Sequence, residues 1–364
     1  MYLNDIPVID SHCHFFNLKY KKLKLHKLLS LSLENWDEEV LKETVLYKRV
    51  IRDMADLFGI DPNEDAVLQK RDDFCNNKYD EYINLLLEKG RIKGLLIDIG
   101  YKPAEVELES FKKSVPAQIK YVYRIETLVD QFWTRKGEFD EMYNEFIKKT
   151  ENAIKNGAVA LKSIIGYRTG LGVNQVSYNE AKKALVENNE KAFRDFFFNE
   201  TIKTCKKFDI PFQVHASFGE SNCNLLNNNP LMLKKVLDNE EYKKVAFVLV
   251  HGGFPYSFEA GYFAAMYPNV YLDFSEMIPW LTFESKDAIK KVLDMAPFNK
   301  IMYGSDGFVS PELHFLGVQF AKSVVAEIIE ELIQQRLMTK LEGYSLAENI
   351  FYKNAINVFG FNMV

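Results

Sequence analysis

The chain is poor in cysteine, has no long apolar run and carries no excess of positive charge, and each lack removes a class of protein. Cys13, Cys75, Cys205 and Cys223 are the four cysteines among 364 residues and show no C-x-x-C spacing, which argues against a disulfide framework or a structural zinc knuckle. Reduced thiols in the cytoplasm are the expectation, because the N-terminus runs directly into Val8-Ile9-Asp10 with no basic leader, apolar signal core or cleavage site. No apolar run approaches spanning length, so no membrane partner is expected. Lys and Arg total 46 against 51 Asp and Glu, a formal net charge of -5. They are scattered, and a nucleic-acid partner would need a basic field. No G-x-G-x-x-G follows an early strand, as a dinucleotide fold requires.

What remains is an ordinary globular composition, 47% hydrophobic and 27% charged, in a chain with room for one large α/β barrel or two ordinary domains. Eight short β-like runs recur, at 6–9, 92–99, 121–125, 158–164, 211–215, 245–251, 270–274 and 300–303. Charged amphipathic segments such as 139–156, 180–208 and 231–242 lie between them. Strands alternating with helices predict right-handed crossovers and a parallel sheet buried on both faces. Eight repeats predict a closed (β/α)8 TIM barrel, with an open doubly wound sheet as the alternative. A charged region over about 20–90 places Val45, Leu46, Val50, Met54, Leu57 and Phe58 at helical spacing and reads as a helical insertion after the first strand. The segment from about residue 321 reads as closing helices with Gly360 near the last stop, and 1–364 as one barrel domain. Phe196, Phe197, Phe198 and Phe263 fall in helical patterns and are assigned to packing.

In such a barrel the active site forms where strands end. The first run leads into Asp10-Ser11-His12-Cys13-His14, and alternation along a strand puts His12 and His14 on one face, placed to share a metal ion. Spacing alone leaves open two unrelated histidines. The remaining strand ends add Lys162, His215, His251 and Asp306, so four of the six histidines sit at such ends. His26 and His314 do not fit the pattern and read as surface or packing residues. Imidazole and carboxylate together form a ligand set for zinc, iron or manganese, and an open coordination position lets bound water ionise near neutral pH. Tyr167 and Arg168 lie in a glycine-flanked loop expected at the mouth. The Arg168 fork suits a substrate carboxylate, or equally an ion pair that anchors the loop. Gln213, Glu220 and Glu276 are further mouth residues, read equally well as supporting or solvent-facing groups.

The ordered set His12-x-His14, Lys162, His215, His251 and Asp306 resembles the amidohydrolase superfamily of metal-dependent (β/α)8 barrels over nearly the whole chain. The stretches Ala160-Leu-Lys-Ser-Ile-Ile-Gly-Tyr-Arg168, Gln213-Val-His-Ala-Ser-Phe-Gly-Glu220 and Asn349-Ile-Phe-Tyr-Lys-Asn-Ala355 look like the branch fused ahead of glutamine-synthetase-like domains in nodulin-type and fungal developmental proteins. The resemblance implies that His12, His14 and Asp306 bind a first divalent ion, most simply Zn with Mn or Fe as alternatives, and that Asp306 also moves the proton. It implies His215 as a ligand, and His251 either as a ligand of a second ion or as a base. Lys162 is then carboxylated and bridges two ions, or stays cationic and polarises a substrate oxygen; a lysine reaching for solvent is the plain alternative. The function implied is hydrolysis of a C–N, amide-type bond in a small molecule, carboxylate-bearing if Arg168 is its clamp. A decarboxylase or isomerase of the same fold is the alternative, and a regulatory metabolite-binding module the alternative of another class. Barrels of this kind commonly pair into homo-oligomers.

Overall fold

A computed structural model describes residues 3–102 and 104–362. Eight strands run parallel in the order of the chain: β1 Val8–Cys13, β2 Ile92–Asp98, β3 Gln118–Arg124, β4 Ala158–Ser163, β5 Phe212–His215, β6 Phe247–Val250, β7 Val270–Asp273 and β8 Ile301–Met302. Each pairs with its neighbour through parallel registers, which bears out the (β/α)8 barrel rather than the open doubly wound sheet. The ring is drawn together where the last strand meets the first: Ser11 N–H donates to the Tyr303 carbonyl at 2.9 Å and Asp306 N–H to the His12 carbonyl at 2.9 Å. Asp10 reinforces this seam by accepting from the Ser305 amide at 2.9 Å and the Ser305 hydroxyl at 2.5 Å.

Alternation sorts the strand side chains. Ile9, Leu96, Val122, Ala160, Val248 and Met302 form one buried cluster, closed by Ala355 and Phe359 from the last helix and by Phe361 just after it. Their neighbours Val8, Leu95, Ile97, Leu161, Phe212 and Leu249 pack the surrounding helices. The observed strands start and stop within three residues of the expected ones, except that β1 runs on to Cys13, four residues past the expected end. One segment differs. Instead of one helix over 231–242 there are three short turns, Pro230–Leu233, Lys234–Leu237 and Glu240–Tyr242, because Asn229 and Asn239 each accept from a backbone N–H two residues on and restart the chain. The phenylalanines Phe196, Phe197, Phe198 and Phe263 are buried as packing residues, and Gly360 ends the last helix in the left-handed conformation that favours glycine.

Four helices stand between β1 and β2: α1 Leu25–Leu28, α2 Glu38–Lys42, α3 Val45–Phe58 and α4 Glu64–Gly90. Helix α3 buries Leu46, Val50 and Met54 as its spacing predicts, whereas Val45, at its first turn, is exposed. Helix α4 is tied to the barrel by a buried ion pair, Arg71 Nε to Glu312 Oε1 at 2.5 Å, with 3% and 2% of the two side chains exposed. Tyr82 and Ser310 hydroxyls also donate to Glu312. Burial pushes the Glu312 carboxyl up, yet Arg71 and Ser310 hold it below its ordinary value. A carboxyl lowered on folding stabilises the protein above its unfolded pKa, near 4.3 for glutamate, and that contribution fades as the pH falls through the lowered folded value. Arg71→Met should therefore cost about 3–5 kcal/mol in urea unfolding at pH 7, and the deficit should narrow below about pH 4.

Candidate metal centre

Two-residue periodicity carries the barrel interior upward into chemistry. Beyond Leu96, Val122, Ala160 and Gln213 on the inward face come Asp98, Arg124, Lys162 and His215, all buried or nearly so and side by side on β2 to β5. Asp98 is the junction. Its Oδ2 accepts from Arg124 Nε and Nη2 at 2.9 and 2.5 Å and lies 3.1 Å from Lys162 Nζ. Burial would raise its pKa, but the Arg124 and Lys162 cations hold it well below the carboxylate range. Lys162 is 2% exposed, so it does not reach for solvent. Its burial lowers its pKa against the pull of Asp98.

At the seam, Asp306 Oδ1 lies 3.2 Å from His12 Nε2 and 3.3 Å from His14 Nε2. His14 Nδ1 sits 3.1 Å from the Asp98 carbonyl, which takes its proton and leaves the Nε2 lone pair aimed at Asp306. Lys162 Nζ approaches His12 Nε2 to 2.6 Å. Burial, then the Lys162 cation, pushes His12 down to about 4 and His215 down to about 3, so both rings are neutral near pH 7, the state a ligand requires.

His251 follows β6 with its ring centroid 4.7 Å from that of His215 and 5.4 Å from that of His12. Ser275 fixes its tautomer, with the carbonyl 3.1 Å and the hydroxyl 2.9 Å from Nδ1. Asp273 braces the corner by accepting from the His251 amide at 3.1 Å and the Ser275 amide at 2.9 Å. Two groups of potential ligands result: His12, His14 and Asp306; and His215, His251 and Glu276. Among the described residues the buried Oδ1 of Asp306 and Nε2 of His215 have no hydrogen-bond partner, an arrangement that costs free energy unless a cation takes the lone pairs. The donor set fits a divalent ion of the Zn, Mn or Fe type.

These groups open on a cavity of about 380 Å³, large enough for a small molecule. Tyr167 forms part of its wall, its ring tilted at 51° to that of His215 with centroids 4.5 Å apart, and its hydroxyl donates to Glu220 at 2.5 Å. Arg168 also lines it, but its fork lies on Asp130, Nη2 to Oδ2 at 2.8 Å, so the loop-anchoring ion pair is what forms. The insertion contributes Lys27, Ser30 and Leu31. Ser221, in the loop after β5, clips it in place: its amide donates to the Leu31 carbonyl and its hydroxyl oxygen accepts from the Leu33 amide, both at 3.2 Å. His26 and His314 are both buried packing residues outside the cavity.

Sequence reasoning missed Asp98 and Arg124, although the inward alternation of β2 and β3 marks them. It named Glu276 as a mouth residue without deciding between a supporting and a solvent-facing role, because Glu276 stands in a turn after β7, where no periodicity applies.

A parallel eight-stranded barrel with histidines and a carboxylate gathered at its strand ends defines a metal-dependent hydrolase-type enzyme. Residues 160–361 match the Amidohydro_2 (amidohydrolase) family model, and the chain belongs to that family, which is metal-dependent. It is 26% identical to the protein fluG of Emericella nidulans over 98% of this chain and 46% of that one, so it spans about half the length of this curated relative. Among solved structures it is similar to a candidate metal-dependent hydrolase of Lactobacillus casei, with a TM-score of 0.87, 22% identity and coverage of 98% and 96% of the two chains. A uronate isomerase of Bacillus halodurans shares the fold with a TM-score of 0.70, 14% identity and coverage of 99% and 94%. Zn(II) at about a hundred times its dissociation constant should stabilise the native chain by about 2.7 kcal/mol, seen as a raised melting temperature, and His14→Ala should abolish most of that shift.

Proposed function

We propose that the protein hydrolyses a C–N bond of the amide type in a small, carboxylate-bearing molecule, using a divalent ion, most simply Zn, in the cytoplasm. The observation that carries the reading is the meeting of His12, His14 and Asp306, with partnerless buried lone pairs, in the wall of a small-molecule cavity. A divalent ion held there supplies Lewis acidity, polarising a carbonyl and making water a nucleophile near neutral pH.

The chain's own groups do the rest. Asp306 faces the cavity as a carboxylate, the form that accepts a proton from attacking water, and it then returns that proton to the departing amine, which cannot leave as an anion. Lys162 lines the same wall. Its charge, held in place by Asp98, opposes the negative charge that grows on the carbonyl oxygen. Of the four cations lining the cavity, Arg124 and Lys162 are paired with Asp98 and Arg168 with Asp130. Lys27 alone, among the described residues, has no carboxylate partner. The substrate carboxylate is therefore assigned to Lys27 rather than to Arg168, with Tyr167 shaping the wall beside it.

The test is amine release from a panel of N-acyl amino acids. Activity should vanish on chelation and return with Zn or Mn. Asp306→Asn should lower kcat by about a hundredfold or more, while Lys27→Met should raise KM about tenfold with kcat little changed. Release of CO2 in place of amine would move the assignment to a decarboxylase.

A further inference from the structure

Glu276 is a buried carboxylate that the mechanism above does not use. It is 2% exposed and lines the cavity. Among the described residues its side chain accepts no hydrogen bond, and the imidazole Nε2 of His251 lies 3.7 Å from its Oε2. A carboxylate in such a position has lost its water without gaining donors, which is costly unless a cation meets it. The lone pairs that share its space point the same way. His251 gives up its Nδ1 side to Ser275, leaving Nε2 free, and the buried Nε2 of His215 has no partner. The three ligand atoms lie within 4.8 Å of one another. The backbone agrees, since Glu276 has φ of 57°, like His251 at 73° and Asp306 at 52°. Such left-handed corners on non-glycine residues are strained and persist where a site requires them. Lys162, the other source of an anionic ligand were it carboxylated, is turned onto Asp98 at 3.1 Å, and a second anion there would face the first.

We propose that Glu276, rather than a carboxylated Lys162, supplies the carboxylate to the second ion that the family resemblance implies at His215 and His251. The inference rests on the metal-dependent reading of the site. Its test is independent of turnover: the metal-free full chain is reloaded with Mn(II) in bicarbonate-free buffer, bound metal is counted, and the spin coupling between ions is read by electron paramagnetic resonance. Native protein should hold two coupled ions and Glu276→Gln one uncoupled ion. Should Glu276→Gln fail to fold, Glu276→Ala serves, its second ion expected only with added acetate. A second ion kept by Glu276→Gln, or kept by Glu276→Ala without acetate, overturns the proposal. So does a native chain that takes a second ion only with bicarbonate. One ion in the native chain overturns it too and leaves the metal-dependent reading standing, whereas none removes both.

Discussion

The seam between β8 and β1 is the contact on which the centre depends. His12 and Asp306 stand near opposite ends of the sequence, and only closure of the ring brings Asp306 Oδ1 to 3.2 Å from His12 Nε2. The seam is short, because β8 has two residues. Asp10 makes up for this by bonding the Ser305 amide and hydroxyl from the β1 side. A buried carboxylate with its oxygens satisfied in this way fixes register as well as proximity, so the metal-binding and structural roles of neighbouring residues in Asp10-Ser11-His12-Cys13-His14 are divided by side-chain direction.

Inside the mouth, charge is organised around a second carboxylate. Asp98 takes both Arg124 and Lys162, so a region that would otherwise gather uncompensated cations holds a partly compensated network, one carboxylate against two cations, on three adjacent strands. The same carboxylate's residue orients His14 through its backbone carbonyl. One residue thus sets both the electrostatics of Lys162 and the tautomer of a ligand, the kind of outer support that tunes metal sites as strongly as the ligands themselves.

Much of this was legible in the sequence, for physical reasons that also mark where legibility stops. Strand period and apolar content revealed the eight strands, and His12, His14, Lys162, His215, His251 and Asp306 could be found because each stands in the last residues of a strand or shortly after its end. All six are gathered at one end of the barrel. Asp98 and Arg124 obey the same rule and went unread only because β2 and β3 were judged by their apolar residues. Other facts have no local signature. That Arg168 pairs with Asp130 depends on contacts between separate elements, as does the Arg71 to Glu312 pair, and Glu276 owes its place to a turn. The breaks within 231–242 were visible in principle as Asn229 and Asn239, whose capping ability outweighed the apolar spacing around them.

The four-helix insertion has an evolutionary side that follows from chain statistics. Replacing a connection of a few residues by one of about 80 raises the entropy cost of closing that loop by only roughly 2–3 kcal/mol, since the cost grows with the logarithm of length. The apolar side chains that the insertion buries, Leu46, Val50 and Met54 among them, are of a size to offset it. A barrel can therefore exchange the segment that brings Lys27 and Ser30 to its mouth at little thermodynamic risk, changing what it admits while the ligands below are left untouched.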